Sequence, residues 1–132
     1  MRLSRSWKLS VLPALFDDPE VMRRCSPGCR AVRVEGPGHF FLELSMPQLR
    51  GVVLGVELRQ RWEEGKLIVE AFSLAPVGTV TARGVWTCEP LSVDGEAWLG
   101  GGLASVGQRV VEPLARRWLD EFVERLVKEA SK

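Results

Sequence analysis

The sequence contains no tyrosine, no asparagine and a single histidine, and its only glutamines stand at positions 48, 60 and 108. Without tyrosine, and with His39 alone, few side chains remain that could move a proton near neutral pH. No Ser-His-Asp or Cys-His spacing can be read around that histidine. The shortage of amides is a composition found in proteins from hot environments. Net charge is missing too: eighteen basic and seventeen acidic side chains leave +1, so there is no long-range field to gather nucleic acid. Apolar runs such as Gly51 to Val56 fall far short of the ~20 residues of a membrane-spanning helix. Arg2, Arg5 and Lys8 interrupt any segment resembling a signal peptide. Three cysteines are an odd number, which argues against a secreted disulfide framework and suits a reducing compartment. These absences point to a cytoplasmic protein with no nucleic-acid partner.

What is present is a chain of 132 residues, 45% of them apolar, enough for one core and one domain spanning 1–132. Met1 to Leu9 alternate apolar and polar residues and predict an opening strand. Ser10 as a cap and Pro13 in a first turn predict helical turns over Val11 to Phe16. Asp18 caps a second short helix that begins at Pro19 and stops at Pro27-Gly28. From Cys29 to Gly102, six strands fit between turns at Gly36-Pro37-Gly38, Met46-Pro47, Glu64-Gly65, Ala75-Pro76 and Asp94-Gly95. From Leu103 the period changes to 3.6: Val106, Val110, Leu114, Trp118, Phe122 and Leu126 form the stripe of a long helix, with a kink expected at Pro113. The order predicts an α+β fold: a curved antiparallel sheet of about seven strands, two short helices after the first strand, and a long C-terminal helix gripped by the sheet.

Period-two alternation assigns one dry sheet face. It carries Phe40, Leu42 and Leu44, then Val52, Leu54, Val56 and Leu58. A two-residue loop at Glu64-Gly65 pairs Trp62 with Leu67, adding Val69 and Ala71 to the dry side and leaving Lys66 and Glu70 outside. That register sets Glu64 at positive φ, which glutamate disfavours. Val80, Ala82, Gly84, Trp86 and Cys88 complete the face.

Two stretches carry a family resemblance. DPEVMRRCSPG at 18–28 and GGLASVGQRVVEPLARRWLDEF at 101–122, with the strand order between them, resemble the carbon monoxide dehydrogenase G family of the START-like helix-grip superfamily. The likeness covers nearly the whole chain. It implies a cavity between sheet and long helix for an apolar, lipid-like or quinone-like molecule. It also implies a partner enzyme, a molybdenum hydroxylase such as carbon monoxide dehydrogenase, recruited to the membrane by peripheral contact. Pro13 stands where relatives carry a large aromatic residue, and Pro113 interrupts the gripping helix.

Each other candidate site has a structural explanation in the pattern. Cys25, Cys29, Cys88 and His39 would just suffice for zinc, but nothing brings Cys88 to the helix end, and Cys25 fits a small packing residue. Asp17, Asp18 and Glu20 suit a helix start through capping and dipole. Gly100-Gly101-Gly102 lacks the Gly-Lys-Ser/Thr of a phosphate loop and suits a bend before the helix. No catalytic residue, metal site or cofactor is assigned. The expected function is non-catalytic binding of an apolar molecule lined by Phe40, Leu42, Leu44, Val52, Leu54, Val56, Val69, Ala82 and Trp86 of the sheet with Leu114 and Trp118 of the helix. Small Ala71, Ala82 and Gly84 favour a cavity over a filled core. Two alternatives remain. A polyketide cyclase or dehydratase-type enzyme would have only Gln60, Ser73 and Cys88 as polar groups on the dry face. An adaptor would dock a partner through exposed Phe41, Phe72 or Trp98.

Overall fold

A computed structural model describes residues 1–47, 51–75 and 78–131. Strand β1 is Arg2–Ser6, followed by one turn of 3-10 helix at Pro13–Asp17 and by α1, Pro19–Cys25. Then come β2 (Cys29–Gly36), β3 (His39–Met46), β4 (Val52–Glu63), β5 (Lys66–Ala75), β6 (Gly78–Cys88) and β7 (Leu91–Gly100). Helices α2, Gly102–Val106, and α3, Gln108–Ala130, close the chain. The seven strands form one antiparallel sheet in the order β1-β7-β6-β5-β4-β3-β2, so only β1 is placed out of sequence, against β7. Strand-like hydrogen bonding continues past β1, with Trp7 N–H donating to the Leu91 carbonyl at 2.9 Å and Leu91 N–H to that of Leu9 at 2.8 Å.

The short helices follow local chemistry. The Asp18 carboxylate accepts from the backbone N–H groups of Glu20 at 2.9 Å and Val21 at 3.4 Å, satisfying two donors that the first turn of α1 leaves free. Ser10 does not cap the preceding turn: Leu12 stands in that position with no side-chain bond, and Pro13 opens the turn. Asp17 is not part of a cap either. Its carboxylate accepts from Trp62 Nε1 at 3.0 and 3.1 Å and from Gln60 Nε2 at 3.3 Å, fastening the turn to β4.

The β4–β5 hairpin has the two-residue loop, pairing Trp62 with Leu67 and Glu63 with Lys66. Glu64 pays for this register with φ +52°, in the left-handed region that asparagine and glycine tolerate better. Glu64→Asn is therefore expected to stabilise the protein by roughly 0.5–1 kcal/mol, read as a higher urea midpoint at unchanged slope; a lower midpoint would mean that Glu64 makes a compensating contact.

Three expectations are corrected. Asp94-Gly95 is not a turn but the middle of β7, where Gly95 pairs with Gly84 on one side and Leu3 on the other. The turn falls instead at Glu89-Pro90, where proline, having no N–H, cannot continue a ladder. The terminal helix is not continuous from 103: Gly107, at φ 89° and ψ 165°, separates α2 from α3, whereas α3 runs through Pro113 without ending. Its stripe also emerges into solvent at its start, Val106 and Val110 being about half exposed (50% and 48%). The expected turn at Ala75-Pro76 reaches residues 76 and 77, outside the described residues. Next to it, Gly78 and Gly101 touch backbone to backbone. A Cβ on Gly78 would collide with the Gly100 carbonyl, and one on Gly101 would lie 3.1 Å from the Gly78 Cα, so the glycine run lets β7 turn under the entering helix.

Core packing is concentrated toward the C-terminal half of α3. Leu126, Val123, Leu67, Leu91, Cys25, Cys88 and Trp86 are all buried in one cluster with Phe16 and Val21. Met22, Phe40 and Leu42 form a second, smaller cluster under α1.

Candidate functional site

Between the inner face of the sheet and α3 lies a cavity of about 410 Å³, partly open to solvent. Its floor exists because small residues from adjacent strands coincide in register. Ala71 pairs with Ala82, and Ala82 with Ala97. In the next row Val69, Gly84 and Gly95 are paired in the same way. The alanines and glycines of these two rows are too short to reach the helix above, so the space that large residues would fill is left vacant.

Larger side chains make the walls. Leu42, Leu44, Leu54, Val56, Val69, Ala82 and Trp86 of the expected set line the cavity from the sheet, and Leu114 and Trp118 line it from α3. Phe40 and Val52 do not line it. Phe40 faces the same side but is buried against Met22 of α1 in the second core cluster, and Val52, opposite Met46 at the first position of β4, lies at the end of the sheet. Not foreseen were Leu15 and Phe16 of the 3-10 turn, Met22 of α1, and Phe122. The spacing of Val21, Met22 and Cys25 is the available signal of an apolar side of α1, yet only the folded chain shows that α1 and the turn before it form one wall.

Beside it, α3, β6 and Phe16 of the 3-10 turn together present an aromatic wall. Trp118 and Phe122 stack with centroids 5.6 Å apart and planes at 4°, Trp86 lies 5.7 Å from Phe122, and Phe16 lies 5.4 Å from Trp86. Trp118 is held in place by donating from Nε1 to the Pro27 carbonyl at 3.0 Å, so the Pro27-Gly28 turn that ends α1 also orients the wall. Such arrangements present flat apolar faces with fixed geometry.

Polar groups are sparse. Gln60 borders the cavity, but its amide donates to the Phe16 carbonyl at 2.8 Å. Ser73 faces the cavity, is 5% exposed, and its hydroxyl is buried without a hydrogen-bond partner. Arg83 and Glu96 border the floor through their backbone, alternating with Ala82, Gly84, Gly95 and Ala97, so their side chains leave from the outer face. Cys88 lies in the core cluster rather than on the cavity; burial pushes its thiol pKa up, with Asp17 adding to the effect. The Cys29 thiol is likewise raised by burial. His39 Nε2 lies 3.3 Å from Glu57 on the outer face, apart from the cysteines. Among the described residues no group of three or more His, Cys, Asp or Glu side chains could hold a metal ion, and no helix is long and apolar enough to cross a membrane.

A seven-stranded antiparallel sheet curved about a long C-terminal helix places the chain in the α+β class with a helix-grip-like fold. The crystal structure of a conserved protein from Geobacillus kaustophilus has this fold, with a TM-score of 0.85 at 20% identity over 98% of this chain and 93% of that one. Likeness at that identity shows the fold alone. No protein-family model matches the sequence, and no curated protein does.

Proposed function

We propose that this chain is a binding protein for an apolar small molecule, held in the cavity between sheet and α3 without chemical change. The observation that carries this reading is the coincidence of an apolar cavity of about 410 Å³ with an aromatic wall, in a range of sizes typical of ligand sites. Burial drives such binding: removing ~300 Å² of ligand apolar surface from water contributes on the order of 7 kcal/mol before ordering costs. Exposed Val110 stands four residues before Leu114, so the apolar stripe of α3 continues from the cavity to the surface. A lip of this kind suits uptake from a membrane surface. The resemblance of residues 18–28 and 101–122 to the carbon monoxide dehydrogenase G family favours a lipid or quinone-like ligand and a supporting role for a molybdenum hydroxylase at the membrane.

An enzyme of the cyclase or dehydratase type is less well supported, because general acid–base work needs a proton donor or base positioned at the reacting atom. Gln60 is engaged, Cys88 is off the cavity, and Ser73 has no base beside it. An adaptor role has one observation in its favour: Phe72 and Trp98 are about half exposed (47% and 53%) on the outer face and flank Thr81 in a shallow groove.

Native mass spectrometry of the purified protein, with solvent extraction of what it carries, separates these readings. The binding reading expects a mass above that of the chain, lost on extraction and identified as a neutral or lipid-like compound. Protein that is always free of ligand, and that takes up no apolar probe, would overturn it.

A further inference from the structure

Resting on the binding reading, we infer that the ligand carries a neutral hydrogen-bond acceptor, a carbonyl or similar oxygen, and that Ser73 is the residue that recognises it. Ser73 sits in the middle of β5, paired with Val56 on β4 and Val80 on β6. Its neighbours on the inner face of the same strand, Ala71, Val69 and Leu67, are all apolar. A serine in such a row gains nothing from packing. Its hydroxyl is the buried side-chain polar atom left without a partner among the described residues, and it belongs to the cavity lining.

An unmade hydrogen bond from a buried donor costs more than a typical made one returns. A strand surface offers no local carbonyl to relieve it, because the ladder bonds of β5 are used by β4 and β6. Ser73 borders the cavity, so a rotation about χ1 turns its hydroxyl, shielded in this structure, toward a partner that enters there. The hydroxyl can donate or accept; paired with a ligand oxygen it donates, and that oxygen is neutral. No Lys, Arg or His side chain among the described residues projects into the cavity, the side chain of Arg83 leaving from the outer face. The Met1 ammonium, at the border, donates to the Ala97 carbonyl of β7 at 3.0 Å, two strands away from Ser73 on β5, and so does not pair with a charge placed there. A carboxylate or phosphate beside Ser73 would thus be a buried, unpaired charge. Gln60 does not compete for the same atom, as its N–H groups are directed to Phe16 and Asp17. The rest of the molecule meets aliphatic and aromatic side chains. The ligand class is thus an apolar, flat or chain-like compound with a ketone-type oxygen, not a free fatty acid or an anionic lipid head.

The test uses two probes of like shape, 2-acetylnaphthalene and 2-isopropylnaphthalene, titrated by calorimetry into the wild-type chain and into Ser73→Ala. Because the hydrocarbon is intrinsically the more hydrophobic, the informative quantity is the ratio of ketone to hydrocarbon affinity. That ratio is expected to fall about tenfold in Ser73→Ala, the value of one hydrogen bond together with the relief of an orphaned hydroxyl. As a second measurement independent of the variant's stability, the carbonyl stretch of ¹³C-labelled ketone bound to the wild type is expected at lower wavenumber than for the same ketone in hexane. Both probes binding with an unchanged ratio and an unshifted carbonyl would overturn the role of Ser73 while leaving the cavity as a binding site. Neither probe binding would overturn this inference and the binding reading together.

Discussion

Ala82→Phe is expected to abolish uptake of an apolar ligand, by more than about a hundredfold, while leaving the protein at least as stable as before. Ala82 lies at the centre of the cavity floor, paired with Ala71 and Ala97, and its Cβ points toward α3. In a filled core the same change would force neighbouring side chains off their rotamers at a cost of ~1–3 kcal/mol. Over a void of about 410 Å³ the ring instead gains contacts with the walls, and filling a cavity typically stabilises by roughly 0.5–2 kcal/mol. Binding and stability should therefore move in opposite directions, as read by calorimetric titration with 2-acetylnaphthalene and by thermal unfolding. A fall in unfolding temperature with binding retained would show that the floor is already packed and that ligand binds elsewhere.

Two leucines on one helix provide the second large effect. Leu126 also borders the cavity but is 1% exposed and packed within the main core cluster; Leu114, about three turns earlier, borders it while partly exposed. Truncating a fully packed leucine removes its transfer free energy and leaves a hole, costing ~3–4 kcal/mol, a large part of the ~5–15 kcal/mol by which domains are stable. Leu126→Ala should lower the unfolding temperature by about 10 °C or more. Leu114→Ala deletes a side chain that already lacks partners on one side, so it should cost less than ~1.5 kcal/mol and weaken binding instead. Equal losses for the two variants in urea unfolding would mean that Leu114 is packed like Leu126, and that the cavity is not there in solution.

The contrast between these residues marks the boundary of what a linear pattern can convey. Both belong to the same 3.6-residue stripe and both border the cavity, and nothing in their spacing separates the fully packed anchor from the partly exposed wall. Leu44 and Phe40 pose the same problem on β3: both alternate onto the dry face, yet Leu44 borders the cavity and Phe40 is buried under Met22. Ser73 was legible as a polar residue on that face; that its hydroxyl has no partner depends on three neighbouring strands and a helix. Asp94-Gly95 misled for a related reason. An Asp-Gly pair is a strong local turn signal, but Gly95 is used here for its bulk, lying between Gly84 and Leu3 in the sheet.

The sequence by itself determined the number of strands, the inward faces of β3 to β6, the capped short helix at Asp18, the Trp62–Leu67 register and the terminal amphipathic helix, because alternation, capping and turn chemistry act between residues a few positions apart. Only the tertiary structure decided that Ala71, Ala82 and Ala97 fall in one row beneath α3, that the 3-10 turn and α1 wall the space, and that the final helix is broken at Gly107. Unfilled volume is a property of surfaces brought together from distant parts of the chain, and no single stretch carries it.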